Sequence, residues 1–274
     1  MTRAPLPSLP SLPSLIACDL DGTLVRHDGT VSPRTVAAFV ALEQAGIPFV
    51  FVTGRPPRLM GQIADAFALH GLAICSNGAY DYDLRARAVV AEYAIDPMTL
   101  QKVARGLREA IDGIGLAVEY ADSLAADPVY EPWDWDRDIT VQRLDEAELW
   151  SRPAPKLVGR HRSLSADELL ALAQPAVGDL VTVYHSNGLR LVEAVAPGVS
   201  KADGLARHAA RLGVAAENVT AFGDMPNDLS MFGWAGHSYA VANAHPSVIA
   251  AADGVIGSVE EDGVAVFLEA MLEA

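Results

Sequence analysis

The sequence predicts an α/β protein, a doubly wound parallel sheet interrupted by an inserted α+β region. Short apolar runs alternate with amphipathic stretches from residue 15 onward, and polar or glycine residues follow the first apolar runs. This rhythm breaks off after Tyr80 and resumes at "GVSKADGLARHAARLG". A length of 274 residues fits one large domain or two ordinary ones, and two domains are expected.

The first third of the chain carries three predicted strands with helices between them. Residues 15–20 form the first strand, and the next helix is capped by Ser32, begins at Pro33 and ends at Gly46. "IPFVFVTGR" and "LAICSNGA" contain the next two strands, on either side of the helix in "PPRLMGQIADAFALHG". Because the carboxyl ends of parallel strands share one sheet edge, "CDLDGT", "VTGR" and "CSNGA" are expected to converge there.

The middle of the chain is predicted to leave this sheet. "YDYDLRARAVVAEY" is expected to be a hairpin that leads out of it, and a later hairpin turns about Asn187-Gly188. "YEPWDWDRD", with Trp133 and Trp135, is either a packed loop or a contact surface, and packing is favoured because Trp is mostly buried. The chain is predicted to begin with a disordered lead-in, residues 1–14. A sheet domain in two pieces, residues 15–84 and 192–274, then encloses an α+β insertion, residues 85–191.

Composition narrows the class of partner. A net charge of −15 and a pI near 4.7 argue against binding to nucleic acids or anionic membranes, which need surplus basic residues. Cys18 and Cys75 lie in apolar contexts and predict reduced core thiols in a cytoplasmic protein, with a disulfide as the minor alternative. Neither an export signal nor an apolar run of membrane-spanning length is found.

Acidic side chains follow two of the predicted strands. Asp19 and Asp21 alternate along an extended backbone, so they are expected to point the same way and share a site. Such a pair indicates a bound metal or two different protonation states, although a capping or turn pair would have the same sequence. Asp224 follows "VTAFG", with Asn227 and Asp228 close behind, and these oxygens are the ligands that Mg²⁺ prefers.

Two further residues complete a set suited to phosphoryl transfer. Thr53 ends the strand "FVFVT" and can donate to a phosphoryl oxygen, while Lys201 precedes a helix and supplies a positive charge. In-line phosphoryl transfer requires this combination of acids, hydroxyl, lysine and metal.

Four motifs in this order carry a resemblance to a known family. "DLDGTL", "VTGR" with "SNGA", "GVSKADGL" and "GDMPNDLSMF" resemble the haloacid dehalogenase superfamily, specifically its Cof-like phosphatases with a C2B-type cap, over residues 15–274. The resemblance implies a Rossmann-like core and an inserted cap. It also implies a Mg²⁺-dependent phosphatase that acts on a small phosphorylated metabolite, a sugar phosphate first, through an aspartyl phosphate.

The resemblance also implies roles for individual residues. Asp19 resembles the nucleophile and Asp21 the general acid and base, with Mg²⁺ held by the Asp19 carboxylate, the Asp21 backbone carbonyl and Asp224. Thr53 and Lys201 resemble the phosphoryl-binding pair. The remaining implied positions are the metal-proximal Asn227 and Asp228, of which Asp228 can pair with Lys201, and the substrate-contacting Gly54, Arg55, Asn77 and Gly78.

Several alternatives stay open. Arg55 could make only a surface salt bridge, and Asn77 could be only a turn residue, because Asn-Gly is a strong turn signal. Phosphotransfer to a sugar hydroxyl, as in the related phosphomutases, shares the nucleophile and the metal with hydrolysis. A non-catalytic binding protein on the same fold is the third hypothesis. The chain is expected to be a monomer or a homodimer.

Overall fold

The structure is a computed structural model that describes residues 12–67, 71–132, 139–185 and 190–273. Trp133 and Trp135, the Asn187-Gly188 turn and most of the lead-in lie outside the described residues. Among the helices that the structure describes, none combines the length and the apolar character needed to cross a bilayer.

An eight-stranded sheet forms the core. Its strands are β1 (Leu15–Cys18), β2 (Phe49–Val52), β3 (Leu72–Cys75), β4 (Tyr80–Asp83), β5 (Ala88–Glu92), β12 (Val219–Gly223), β13 (His237–Val241) and β14 (Gly254–Ile256). They lie in the order β14-β13-β12-β1-β2-β3-β4-β5. The strands from β14 to β3 pair in parallel, whereas β4 pairs antiparallel with both β3 and β5. The predicted α/β class with a largely parallel, Rossmann-like sheet is confirmed.

Helices cover this sheet in the alternating order that the sequence predicts. They are α1 (Pro33–Gln44), α2 (Gly61–Phe67), α6 (Lys201–Leu212), α7 (Leu229–Trp234), α8 (Pro246–Ala251) and α9 (Gly263–Glu273). The start of α1 shows why its bounds were predictable. The Ser32 side chain accepts from the backbone N–H of Thr35, Pro33 occupies the first turn, and Gly46 adopts the left-handed φ of 73° that ends the helix region.

The inserted region forms a second sheet with its own core. Its strands are β6 (Gly115–Glu119), β7 (Leu124–Ala126), β8 (Gln142–Arg143), β9 (Lys156–Arg160), β10 (Thr182–Tyr184) and β11 (Leu191–Val195), and its helices are α3 (Pro97–Ala110), α4 (Glu146–Leu149) and α5 (Ala166–Val177). The strand order is β10-β11-β9-β6-β7-β8. Side chains of α3 and α5 share a buried apolar cluster with the strand residues that alternate towards them, such as Leu116 and Leu157.

The sheet memberships move both boundaries of the insertion. β5 belongs to the core sheet and β11 to the second sheet, so the chain crosses after Glu92 and returns after Val195 rather than at 84 and 192. The predicted hairpin extends the core sheet instead of leaving it. Alternation within a hairpin is the same whether its first strand pairs with the sheet or departs from it, so the sequence could not separate the two cases.

The second sheet lies against the core near the carboxyl end of β2. The backbone N–H of Arg58 donates to the carbonyl of Ala121 at 2.9 Å, and the Arg58 guanidinium donates to Glu119 at 2.8 Å. The insertion, which we call the cap, therefore covers the edge of the core sheet at the carboxyl ends of the parallel strands, where polar residues follow them.

Candidate active site

Three buried carboxylates meet at the carboxyl ends of β1 and β12. Asp19 follows β1, Asp224 follows the neighbouring parallel strand, and Asp228 ends a one-turn helix just beyond. They are 5%, 6% and 0% exposed, and one oxygen from each lies within 4.8 Å of the others. Carboxylates this close repel unless a cation lies among them. The donor set is therefore chemically suited to a hard divalent cation such as Mg²⁺.

Lys201 supplies a positive charge to the same cluster. It is the first residue of α6 and is fully buried, with its Nζ 2.5 Å from Oδ1 of Asp19 and 2.6 Å from Oδ1 of Asp228. The other oxygen of Asp228 accepts from the backbone N–H groups of Asp224 and Met225. Asp228 thus fixes both the lysine and the turn that carries Asp224.

Burial sets the protonation behaviour of this cluster. It raises the pKa of Asp19 to about 7, against the opposing attraction of Lys201, and together with the Asp19 charge it raises the pKa of Asp224 well above its usual value. Burial lowers the pKa of Lys201, but Asp19 and Asp228 outweigh this effect and raise it. One lysine does not neutralise three acids, so the cluster takes up either a proton or a cation.

Asp21 is more exposed than the three carboxylates. It lies three residues beyond the end of β1, in a β-bridge with Val25. The Asp21 side chain is 54% exposed, and its two oxygens accept from Nε and Nη2 of Arg55 at 2.7 and 2.5 Å. After burial and the charge of Asp228, the charge of Asp21 also raises the pKa of Asp19, and a site shared by the two acids stays a prediction. Arg55 does form a salt bridge, and its partner is the predicted general acid.

The turn after Asp21 is shaped around Asp224. Gly22 has a φ of +81°, and a Cβ there would lie 2.3 Å from Oδ2 of Asp224. The buried hydroxyl of Thr23 donates to the other oxygen of Asp224 at 3.1 Å. The sequence predicts that the Gly22-Thr23 turn aims Asp19 and Asp21 at the cleft, but it does not predict that this turn contacts Asp224.

Thr53 directly follows β2, the neighbour of β1, and is fully buried. Its Oγ accepts from the backbone N–H of Arg55 at 3.0 Å, which leaves the hydroxyl proton for another acceptor. Its carbonyl accepts from the N–H of Asn77, and the N–H of Ser76 donates to the carbonyl of Arg55. The loop after β3 therefore braces the Thr53–Arg55 loop.

Asn77 and Gly78 are buried structural partners of the site. Asn77 adopts a left-handed conformation, as expected of a turn residue, and its side-chain oxygen accepts from Asn227 at 2.8 Å. Gly78 packs so closely on α6 that a Cβ would lie 2.2 Å from the carbonyl of Ser200. Both residues hold the loop against the start of the helix that carries Lys201.

The cap contributes a residue that was not predicted. Nζ of Lys156, at the start of β9, donates to the carbonyl of Gly54 at 3.1 Å. The sequence signal was a lysine at the start of the otherwise apolar strand "KLVG".

Comparison with known proteins agrees with this arrangement. The model of the haloacid dehalogenase-like hydrolases matches residues 16–268. Pyridoxal phosphate phosphatase YbhA of Escherichia coli is 29% identical over 93% of this chain and 97% of its own, and a phosphoglycolate phosphatase of Halorubrum lacusprofundi is 30% identical over 91% and 93%.

Solved structures of the superfamily share the fold. BT1666 of Bacteroides thetaiotaomicron aligns over 98% of this chain and 99% of its own, with a TM-score of 0.79 and 23% identity. The prediction of an enzyme, a phosphoric monoester hydrolase, is confirmed by the family model and the curated phosphatase relatives. With its core sheet, its inserted cap and its match across nearly the whole length, the chain belongs to the haloacid dehalogenase-like hydrolase family.

Proposed function

We propose that this protein is a Mg²⁺-dependent phosphatase of small phosphorylated metabolites that works through an aspartyl phosphate on Asp19. The observation that carries the proposal is the buried cluster of Asp19, Asp224 and Asp228, clamped by Lys201. Thr53 follows β2 just as Asp19 follows the neighbouring β1, and its hydroxyl keeps its proton for another acceptor because it accepts from the Arg55 N–H. Together these groups supply a nucleophile, a cation site and donors for an anionic phosphoryl group.

Mg²⁺ would be held by the carboxylates of Asp19 and Asp224 and the backbone carbonyl of Asp21, near Asn227 and Asp228. Bound there, it would neutralise the charge between an anionic nucleophile and an anionic phosphate. The hydrogen bond from Thr23 and the close approach of Gly22 both fix the orientation of Asp224. Such support of a ligand tunes metal affinity.

Asp19 acts as the nucleophile in the first half-reaction. Lys201 donates to its Oδ1, whereas Oδ2 accepts no hydrogen bond from the described residues and is therefore the oxygen available to attack phosphorus. Its attack forms an O–P bond while the bond from phosphorus to the leaving oxygen breaks. Asp21 gives its proton to that oxygen. Thr53 and Lys201 donate to the phosphoryl oxygens.

Asp21 changes role in the second half-reaction. It takes a proton from water, whose oxygen attacks phosphorus, and the bond between phosphorus and Asp19 breaks to return the carboxylate and free phosphate. The half-exposed Asp21 side chain can serve both steps once one of its oxygens is released from Arg55, which binds both of them in this structure. Arg55 and Gly54 remain the substrate-side residues of the loop.

The candidate substrates share the phosphoryl group and differ in the leaving group. A sugar phosphate is the first candidate by family resemblance, and pyridoxal phosphate follows because a relative 29% identical carries that activity in its name. Phosphotransfer to a second sugar phosphate is the alternative. Product analysis separates the two reactions, because hydrolysis liberates one phosphate per ester consumed and a mutase liberates none.

Asp19→Asn is the decisive variant. With Mg²⁺, phosphate release from a panel of metabolite esters is expected to fall by at least about 10⁴-fold, because the nucleophile is lost. Asp65→Asn is the matched control, since Asp65 has a 69%-exposed side chain on α2 that pairs with Arg87. The assignment would be refuted if Asp19→Asn turned over at a near-normal rate and released as much phosphate per ester consumed as the control does.

Two further expectations stay predictions. A cytoplasmic location rests on the two buried, free cysteines, and a monomer or homodimer on the ordinary size of the domains. Binding to nucleic acids or to membranes is not expected from an acidic chain.

A further inference from the structure

The cap sheet carries a buried ionic cluster on the face that meets the core. Lys156 on β9 lies directly opposite Glu119 on β6, and Glu193 on β11 lies diagonally across from it. The three residues are 3%, 6% and 3% exposed, and Nζ is 2.5 Å from Glu119 and 2.8 Å from Glu193. Burial raises the pKa of Glu119, but Lys156 and Arg58 outweigh burial and lower it, so the Glu119 carboxylate stays ionised.

The lysine also donates outside the cap. Of the three N–H donors of an ammonium group, one goes to Glu193, while Glu119 forms an ion pair with the same Nζ. Nζ also donates to the carbonyl of Gly54 in the core, 102 residues away in sequence. A cluster that only stabilised the cap would have no need of this contact.

The carbonyl of Gly54 belongs to the peptide unit that holds Thr53. A peptide unit is planar, so the Gly54 carbonyl and the Arg55 N–H turn together. The N–H of this unit donates to Oγ of Thr53 at 3.0 Å, while its carbonyl accepts from Lys156 at 3.1 Å. Rotation of this plane would release the Thr53 hydroxyl and shift the start of Arg55.

We propose that Lys156 is a positioning residue that orients the Thr53 hydroxyl through the Gly54–Arg55 peptide. The phosphoryl-binding loop then depends on a donor that the cap supplies. This inference rests on the proposed phosphatase function, because it needs Thr53 to bind a phosphoryl oxygen. Lys156 itself does not touch the reacting atoms.

The test uses variants that keep the buried charge balanced. Removing Lys156 alone would take away a cation that pairs with Glu193 inside the protein, so Lys156→Met is combined with Glu193→Gln, and Glu193→Gln alone is the reference. In the double variant Glu119 keeps its pairing with Arg58. Relative to the reference, kcat for p-nitrophenyl phosphate is expected to fall roughly 10- to 100-fold. Lys156→Gln with Glu193→Gln, which keeps an N–H donor, should recover part of the loss.

A double-mutant cycle with Thr53→Val separates positioning from general stability. If Lys156 acts through the Thr53 hydroxyl, then removing Lys156 in the Thr53→Val background should cost less than about 3-fold in kcat. Equal losses with and without that hydroxyl, at normal wild-type turnover, would overturn the positioning role and leave the phosphatase function standing. Absence of phosphate release by the wild type from every ester and from p-nitrophenyl phosphate would overturn both.

Discussion

Alanine substitutions at Gly22 and Gly29 form a matched pair that separates an effect on the proposed metal site from the effect of backbone strain. Both residues have left-handed backbones, with φ of +81° and +83°. Alanine at either position therefore incurs the same backbone strain, about 1–2 kcal/mol in the free energy of unfolding. At Gly29 nothing lies within 4 Å of the added Cβ, whereas at Gly22 it would lie 2.3 Å from Oδ2 of Asp224.

The collision at Gly22 fixes the size of the expected effect. Ordinary Cβ contacts begin at 3.4 Å, so the Asp224 carboxylate must move by roughly 1 Å. Mg²⁺ demands near-ideal octahedral geometry and tolerates such a shift poorly. Gly22→Ala should therefore raise the Mg²⁺ concentration for half-maximal activity at least about 10-fold and lower kcat/KM by up to about 100-fold. Gly29→Ala should change neither quantity by more than about 2-fold.

The assay is phosphate release titrated with Mg²⁺, together with urea unfolding of both variants in EDTA. Similar losses of unfolding free energy would show that the backbone strain is matched. If Gly22→Ala then had the same Mg²⁺ half-saturation and kcat/KM as Gly29→Ala, the placement of the Asp224 carboxylate against this turn would be refuted.

Three further predictions concern single groups. The pKa of Asp19 is raised to about 7 in the folded state, above the usual 3.8, so the neutral acid favours folding at low pH and this stability is lost as pH rises through 7. In EDTA, the free energy of unfolding of the wild type should therefore fall by up to about 4 kcal/mol between pH 4 and 8 relative to that of Asp19→Asn, as measured by urea unfolding. A difference between the two proteins that stays constant with pH would contradict this. Thr23→Val removes the donor to Asp224, and the Mg²⁺ half-saturation should rise about 10-fold at unchanged secondary structure by circular dichroism; an unchanged value would exclude a role for this hydrogen bond. Burial raises the pKa of the Cys18 and Cys75 thiols, so neither should react with a disulfide reagent at pH 8 until urea unfolds the chain, and rapid labelling of the native protein would contradict their burial.

The convergence of the acidic cluster could be predicted because it depends on sheet topology alone. Asp19 and Asp224 each follow an apolar strand, and in a parallel sheet those strand ends must share an edge. The neighbouring positions of β1 and β12 then bring the two side chains together, whatever the details of packing. Lys201 joins them because it begins a helix that returns from the same edge.

The pairing of Asp21 with Arg55 could not be predicted, because it depends on which loops the sheet brings together. Asp21 follows β1, and Arg55 follows the neighbouring strand β2, 34 residues further along the chain. The side chain turns to Arg55, and this pairing is apparent only after β1 and β2 are placed side by side.

The boundaries of the cap and the Lys156 contact share a physical cause, which is pairing between segments distant in sequence. A lysine that begins an apolar strand does predict acidic partners, because a buried ammonium is stable only when carboxylates or carbonyls surround it. The sequence contains many acids, however, and the selection of Glu119 and Glu193 follows from the register of three antiparallel strands. Nothing local to Lys156 indicates Gly54, whose carbonyl it reaches only because the cap rests on the core. A substrate-side loop completed from the cap is thus a property of the two sheets together, and variants of the cap should alter kcat without touching a single residue of the core.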